Sequence, residues 1–519
     1  MHQALTKTIE ELKSKSRLET DPYEAKIKVN ESLSRAAFYY EKLRNVLEYQ
    51  DEHLFLKNAI KRILKRRTAL KEPGLAKKLL HELVWAQYFK NDTLPTRFEE
   101  EIDQIIRKYS FIKDHIKSRQ PQGKISETIL GLLSCEIEEF LSPAKEKIEY
   151  AKFVEEILEK NIKIDEKEIP RKTLKIQIQI STYRLLFKAD NDQMTYVLLK
   201  NYLKFWPEIN KEEAKYLSGS YDAIFKEMEN EIARGANSEI FKYIKRNIPP
   251  LMVLWDIILK SGGSRPEQLE SPKIVRDKAT LVISSRNKQI RKRVVRSIVR
   301  GVFFILLTKI ILALILELPY EARYLGQVNY TALVTNITLP PLLMIISGLF
   351  IKLPKLDNTK TIINILEDII VKGELPTRKL LTLKTEKGKT YFLFNLIYIL
   401  LSLAIISLVV WGLLALKFNV ISIILFFLFI SFVSFLTFRI RNTARELEVK
   451  TTEDSLISGV LSFVLLPFVV IGKYLSDRWS QYNVTLFFWD FIIEAPFKSI
   501  IGVFEAWLSF TREKREEFE

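Results

Sequence analysis

The chain has 519 residues, enough for two or three domains, with 47 % hydrophobic and 28 % charged residues and a net charge of +17. Its single cysteine, Cys135, excludes an intramolecular disulfide and a cysteine-based metal cluster. Mean hydropathy is near zero, but that average hides a split: residues 1–285 are charge-rich, whereas residues 301–510 hold long runs of Leu, Ile, Phe and Val. The charge is divided too. Residues 1–285 carry 51 Lys and Arg against 44 acids, and residues 286–519 carry 29 against 19. A more apolar half that also holds most of the excess positive charge is the pattern of a membrane protein with basic loops.

The first twenty residues are polar, with acids and no apolar core, so no secretory signal is expected. Residues 1–260 read as helices: apolar residues recur at helical spacing, Glu and Lys take the other faces, and Pro and Gly fall at breaks such as Pro73-Gly74, Pro121 and Pro170. Ser126-Glu127 reads as a helix start. The stretch TLKIQIQIST alternates like a strand, yet it runs into YRLLFKAD without a turn signal, so a helix is expected there. PPLMVLWDIILK at 249–260 is too short to span a bilayer and carries Asp256; a buried helix is expected.

The clearest feature of this half is LFLKNAIKRILKRRTAL at 54–70. Leu56, Ile60, Ile63 and Leu64 share one face of a helix, and Lys57, Lys61, Arg62, Lys65, Arg66 and Arg67 take the others. Such a helix either packs by its apolar stripe onto the domain or lies on an anionic surface, where Lys61, Arg62, Lys65 and Arg66 would meet lipid phosphates. Nucleic acid is the weakest reading, because no aromatic-rich binding module accompanies it.

Residues 261–297 form a linker, SGGSRPEQLESP, and then a basic juxtamembrane helix. Residues 286–300 hold seven Lys or Arg and no acid. Arg291, Lys292, Arg293, Arg296 and Arg300 are the expected contacts to anionic headgroups, each contributing about 1 kcal/mol near such a surface. A membrane domain over 298–475 follows, with about five spans at 298–318, 331–352, 391–416, 419–438 and 455–475. Pro340-Pro341 and Pro467 interrupt two of them; Pro467 either kinks its span or turns it back. The loops at 353–390 and 439–454 are basic and those at 319–330 and 417–418 are sparse. The rule that basic loops stay inside therefore places the N-terminus in the cytoplasm and the chain in the cytoplasmic membrane.

Lys309 lies inside the first span, about eleven residues from its start and near mid-membrane. A charge at that depth costs several kcal/mol unless paired, which makes it a candidate functional residue. Glu317 falls roughly on its side of the helix, and Asn336 and Asn395 are possible partners. Residues 476–519 form an amphipathic helix and a charged tail. Within it Asp490, Glu494, Lys498 and Glu505 make one polar stripe on an aromatic-rich helix, either facing water at the interface or lining a sixth span. The sequons at Asn329, Asn336 and Asn483 carry no weight so close to the membrane.

No zinc helix, phosphate loop, dinucleotide fingerprint or nucleophile elbow is present, and the four histidines do not cluster. The expected fold is therefore all-α: a cytoplasmic helical domain and a polytopic membrane bundle. No enzyme activity, cofactor or metal is expected. The expected function is anchoring, with the helical domain recruiting a cytoplasmic protein partner; a homo-oligomer is compatible with it. The alternative is a transporter or channel with a polar path along Lys309 and the 490/494/498/505 stripe.

Overall fold

The computed structural model describes residues 3–13, 24–30, 54–70, 72–164, 169–203, 211–235, 239–260, 271–373, 379–381, 389–449 and 456–482, with isolated positions between and after them. Among the described residues the fold is all-helical but for one pair of three-residue parallel strands, β1 (Ile162–Ile164) on β2 (Lys379–Leu381).

A first group of helices comprises α1 (Gln3–Lys13), α2 (Phe55–Ala69), α3 (Leu75–Trp85), α4 (Phe98–His115), α5 (Gln122–Leu141) and α6 (Lys145–Asn161). It continues with α7 (Arg171–Leu186), α8 (Asn191–Tyr202), α9 (Lys211–Gly219), α10 (Tyr221–Gly235) and α11 (Glu239–Lys260). TLKIQIQIST lies wholly within α7, so continuity into YRLLF outweighs its alternation. Helix α5 begins at Gln122, after Pro121, and not at Ser126: proline fixes the backbone for a helix start, and Ser126 and Glu127 lie a turn inside. Gly74 opens α3 at φ +67°, a conformation that favours glycine.

The apolar helices follow. Helix α12 runs from Pro272 to Leu312 and continues through two π-helical segments, Ala313–Glu317 and Glu321–Leu325. After it come α13 (Tyr330–Leu349), α14 (Leu356–Lys372), α15 (Lys389–Ala415), α16 (Val420–Ala444) and α17 (Leu456–Tyr482). Among the described residues four helices are long and apolar enough to cross a membrane: Lys273–Tyr324, Tyr330–Leu349, Phe392–Ala415 and Val420–Ala444. Helix α13 carries Pro340 and Pro341, and α17 carries Pro467, without interruption, so Pro467 does not turn its segment back. The basic run at 286–300 is not a separate helix: it is part of α12, continuous with the span.

Two large cores organise the chain. One packs α2 to α5 with α8 to α10, through residues such as Ile60, Leu80, Ile129, Leu199 and Met228. The other runs across the boundary of the apolar half. It joins Phe153 and Ile157 of α6 and Leu251, Leu254 and Ile258 of α11 to Ala279 and Ile283 of α12, Leu366 of α14 and Val433 of α16. The segment 353–390 is therefore more than a basic loop. Its Ile362, Leu366 and Ile369 recur at helical spacing and bury one face of α14 in this core.

Candidate functional site in the apolar helices

Lys309 is fully buried, and its Nζ donates to Glu317 Oε1 at 3.0 Å. A regular helix turns 100° per residue, so eight residues leave these side chains about 80° apart. The π-helical turn at Ala313–Glu317 alters that progression just where Glu317 sits. Asn336 of α13 is also fully buried, and its Nδ2 donates to the same Glu317 Oε1 at 2.7 Å and to the Ser422 carbonyl of α16 at 3.3 Å. The Phe429 ring of α16 lies 5.0 Å from Lys309 Nζ, within cation–π range. Three helices thus close around one ion pair. Two atoms of the cluster have no hydrogen-bond partner although buried: Glu317 Oε2 and Asn336 Oδ1.

One turn beyond Glu317 lies a second buried carboxylate. Glu321 Oε2 accepts from the Asn329 backbone N–H at 2.9 Å, and Oε1 accepts from Asn419 Nδ2 at 2.6 Å. Asn329 and Asn419 are also the N-caps of α13 and α16, accepting from Ala332 and Ser422 backbone N–H groups. Glu321 therefore joins two helix N-termini, whose partial positive charge favours a carboxylate.

Of the sequence candidates, the structure brings Lys309, Glu317 and Asn336 together and leaves Asn395 exposed on α15. The involvement of Asn336 and Asn329 in these bonds also occupies two of the three sequons. Asp490, Glu494, Lys498 and Glu505 lie outside the described residues. Glu321 and Asn419 are buried or bonded positions of this cluster that sequence reasoning missed. The available signal was an asparagine immediately before an apolar run at 419, the usual N-cap pattern.

On the basic side, Arg291, Lys292, Arg293, Arg296 and Arg300 are exposed along α12, and Arg293 Nη1 also lies 3.6 Å from Glu446. The lipid contacts expected of Arg62 and Arg66 on α2 need correction. Arg62 and Arg66 are buried, paired with Glu41 at 2.5 Å and with Glu82 respectively. Lys61 bridges Glu127 and Asp192, at 2.9 and 2.7 Å, and Lys65 reaches Glu127 at 3.2 Å. The apolar stripe of α2 packs into the domain core, and acids of neighbouring segments pair with its basic residues, while Lys65 stays about half exposed. Lys57 pairs with Asp190 and Asp192. Burial opposes its charge, but the two carboxylates prevail and hold it above the usual lysine range.

Among the described residues no group of three or more His, Cys, Asp or Glu is placed to hold a metal ion. Comparison with family models, with curated proteins and with solved structures returns no match to the chain.

Proposed function

We propose that the protein is a multi-span anchor of the cytoplasmic membrane that holds its N-terminal helical domain against the inner face and presents it to a cytoplasmic protein partner. The observation that carries this reading is the core shared by α6, α11, α12, α14 and α16, which ties the helical domain to the apolar helices. A flexible tether would leave the domain free to tumble; a shared core fixes its orientation, which suits a protein that displays a surface. In this reading α17 is a fifth span, residues 1–297, 353–390 and 439–454 are cytoplasmic, and the exposed arginines of α12 meet anionic headgroups. The outward-facing apolar side chains of α15, including Phe392, Leu400 and Trp411, meet lipid or a second copy. The test is binding of cytosolic protein to proteoliposomes carrying the full chain. Saturable retention of a protein that empty liposomes of the same anionic composition do not hold supports it; no such retention ends it.

A second reading, transport, is favoured by one observation: the Lys309–Glu317–Asn336 cluster leaves two polar atoms unpaired in an apolar setting, a feature that plain structural pairing does not require. Solute flux through proteoliposomes that falls when Lys309 is changed to Met would support it.

A further inference from the structure

The two buried carboxylates of α12 and its continuation are bonded in opposite ways. Glu321 spreads its two donors over both oxygens, as a desolvated carboxylate should. Glu317 concentrates both donors, Lys309 Nζ and Asn336 Nδ2, on Oε1 and leaves Oε2 with none. That is the pattern of a carboxylic acid: a carbonyl oxygen that accepts, and a hydroxyl oxygen that has a hydrogen to give. The complementary acceptor is present. Asn336 Oδ1 is buried and receives nothing. The amide cannot be turned to relieve it, because its Nδ2 already faces two acceptors, Glu317 Oε1 and the Ser422 carbonyl. An acid and an amide joined by one N–H···O bond can close as a pair through one O–H···O bond, and in that arrangement a single hydrogen would serve both orphaned oxygens.

We propose that Glu317 is a proton-binding site within the apolar helices, carrying its proton on Oε2 toward Asn336 Oδ1, with Lys309 as the partner that gives up and takes back that proton. In the exchange a Lys309 Nζ–H bond breaks and a Glu317 O–H bond forms on Oε1. A half-turn of the carboxyl about its Cγ–Cδ bond then exchanges the two oxygen positions, so the hydroxyl takes the place labelled Oε2, facing Asn336, and the carbonyl oxygen takes the place that accepts from Lys309 and Asn336. The amine that remains keeps an N–H for the carbonyl oxygen, and the net charge of the pair does not change. The exchange replaces two opposite charges with two neutral groups in a setting where each ion costs several kcal/mol to desolvate. Among the described residues no other titratable side chain is bonded to the cluster. Asn336 faces it from α13, and the Ser422 carbonyl and the Phe429 ring close it from α16. The proposal goes beyond anchoring and does not depend on it: a protein that binds no partner can still hold this proton.

The experiment is infrared spectroscopy of the full chain in lipid nanodiscs, reading the carbonyl stretch of protonated carboxyl groups. It is done in a Glu155→Gln background, because burial pushes the Glu155 carboxyl of α6 up to about 8 and would add its own band. At neutral pH we expect a protonated-carboxyl band that moves on labelling with 13C-glutamate, disappears in Glu317→Gln, and rises in frequency in Asn336→Leu, where the hydroxyl loses its acceptor. A glutamate band undiminished in Glu317→Gln overturns the proposal. So does a folded Glu155→Gln protein with no glutamate band, which would mean an ionised Glu317 whose orphaned oxygen is met by trapped water. The labelling and Asn336→Leu arms keep the test valid if Glu317→Gln does not fold.

Discussion

Glu155 is half-buried on α6, and burial is the main reason its carboxyl is pushed up to about 8; nearby Glu159 adds to the shift and Lys152 opposes it. The folded protein therefore holds this proton more tightly than the unfolded chain, whose value is 4.5. Stability from this group is greatest at low pH, is lost progressively as pH rises from about 4.5, and levels off above about 8. Glu155→Gln removes that slope, so its melting temperature should exceed that of the wild type by more at about pH 8.5 than at about pH 5. An equal difference at both would show that Glu155 titrates normally. Glu82 tests an ion pair instead. It is buried between Arg66 and Arg67, at 2.8 Å from the latter, and Glu82→Ala removes the carboxylate that both guanidinium groups share, at a cost of about 3–5 kcal/mol. Glu127, half-exposed beside Lys61 and Lys65, should cost no more than about 1 kcal/mol on the same change. Comparable melting temperatures for the two variants would contradict this ranking. At this scale the sequence revealed that Lys309 matters, since a charge in an apolar run is conspicuous. It did not reveal which way the basic faces of α2 point. Their acids lie on helices remote in sequence, and a row of lysines and arginines looks the same whether water or carboxylates neutralise it.

Helices α16 and α17 pack closely, and Gly472 lies at a close approach of their backbones: a Cβ there would meet the Ser431 carbonyl oxygen at 2.2 Å. In a lipid setting helices associate through close backbone approach, so Gly472→Ala must push the pair apart and should cost about 1–3 kcal/mol. Gly412 on α15 has open space around it, and Gly412→Ala should be neutral or slightly stabilising through helix propensity. Melting of the two variants in one detergent checks both, and an unchanged Gly472→Ala would mean that α17 is not seated as described. The apolar helices themselves were legible, because a run of about twenty apolar residues has few other destinations. Their ends were less so. The first continues to Tyr324 because π-helical turns follow Leu312, and α16 continues to Ala444 because its polar extension packs on the domain. Helix α14 looks in the sequence like a basic loop. Its charges suggested a side of the membrane, while the Ile362, Leu366 and Ile369 spacing that buries it carried no weight beside them.

At the scale of the whole molecule, the helical domain and the apolar helices meet in a joint that is both apolar and ionic. Leu251, Leu254 and Ile258 of α11 share a core with Ala279 and Ile283 of α12 and Leu366 of α14. Around that core Arg286 of α12 pairs with Asp256 of α11, and Glu446, just past α16, lies near Lys188, Arg286 and Arg293 at 3.2, 3.5 and 3.6 Å. Asn358 of α14 adds two bonds to the backbone beyond α16, to Leu447 O and from Val449 N, at 2.7 and 2.8 Å. From the sequence, the glycines and prolines after residue 260 look like a place to cut. The shared core gives such a cut a cost. A chain ending at Lys260 keeps α11 but loses α12 and α14, so the apolar face of α11 opens to water. Each large side chain fully uncovered forfeits about 1.5–3 kcal/mol, and several are uncovered together. The fragment 1–260 should therefore self-associate or aggregate, and it should bind a hydrophobic dye that the full chain in detergent does not. Extending it to residue 297 restores part of α12 and should reduce the effect without abolishing it, because α14 is still missing. A monomeric, dye-silent 1–260 fragment would mean that α11 is covered from within the domain and that the joint to the apolar helices is dispensable.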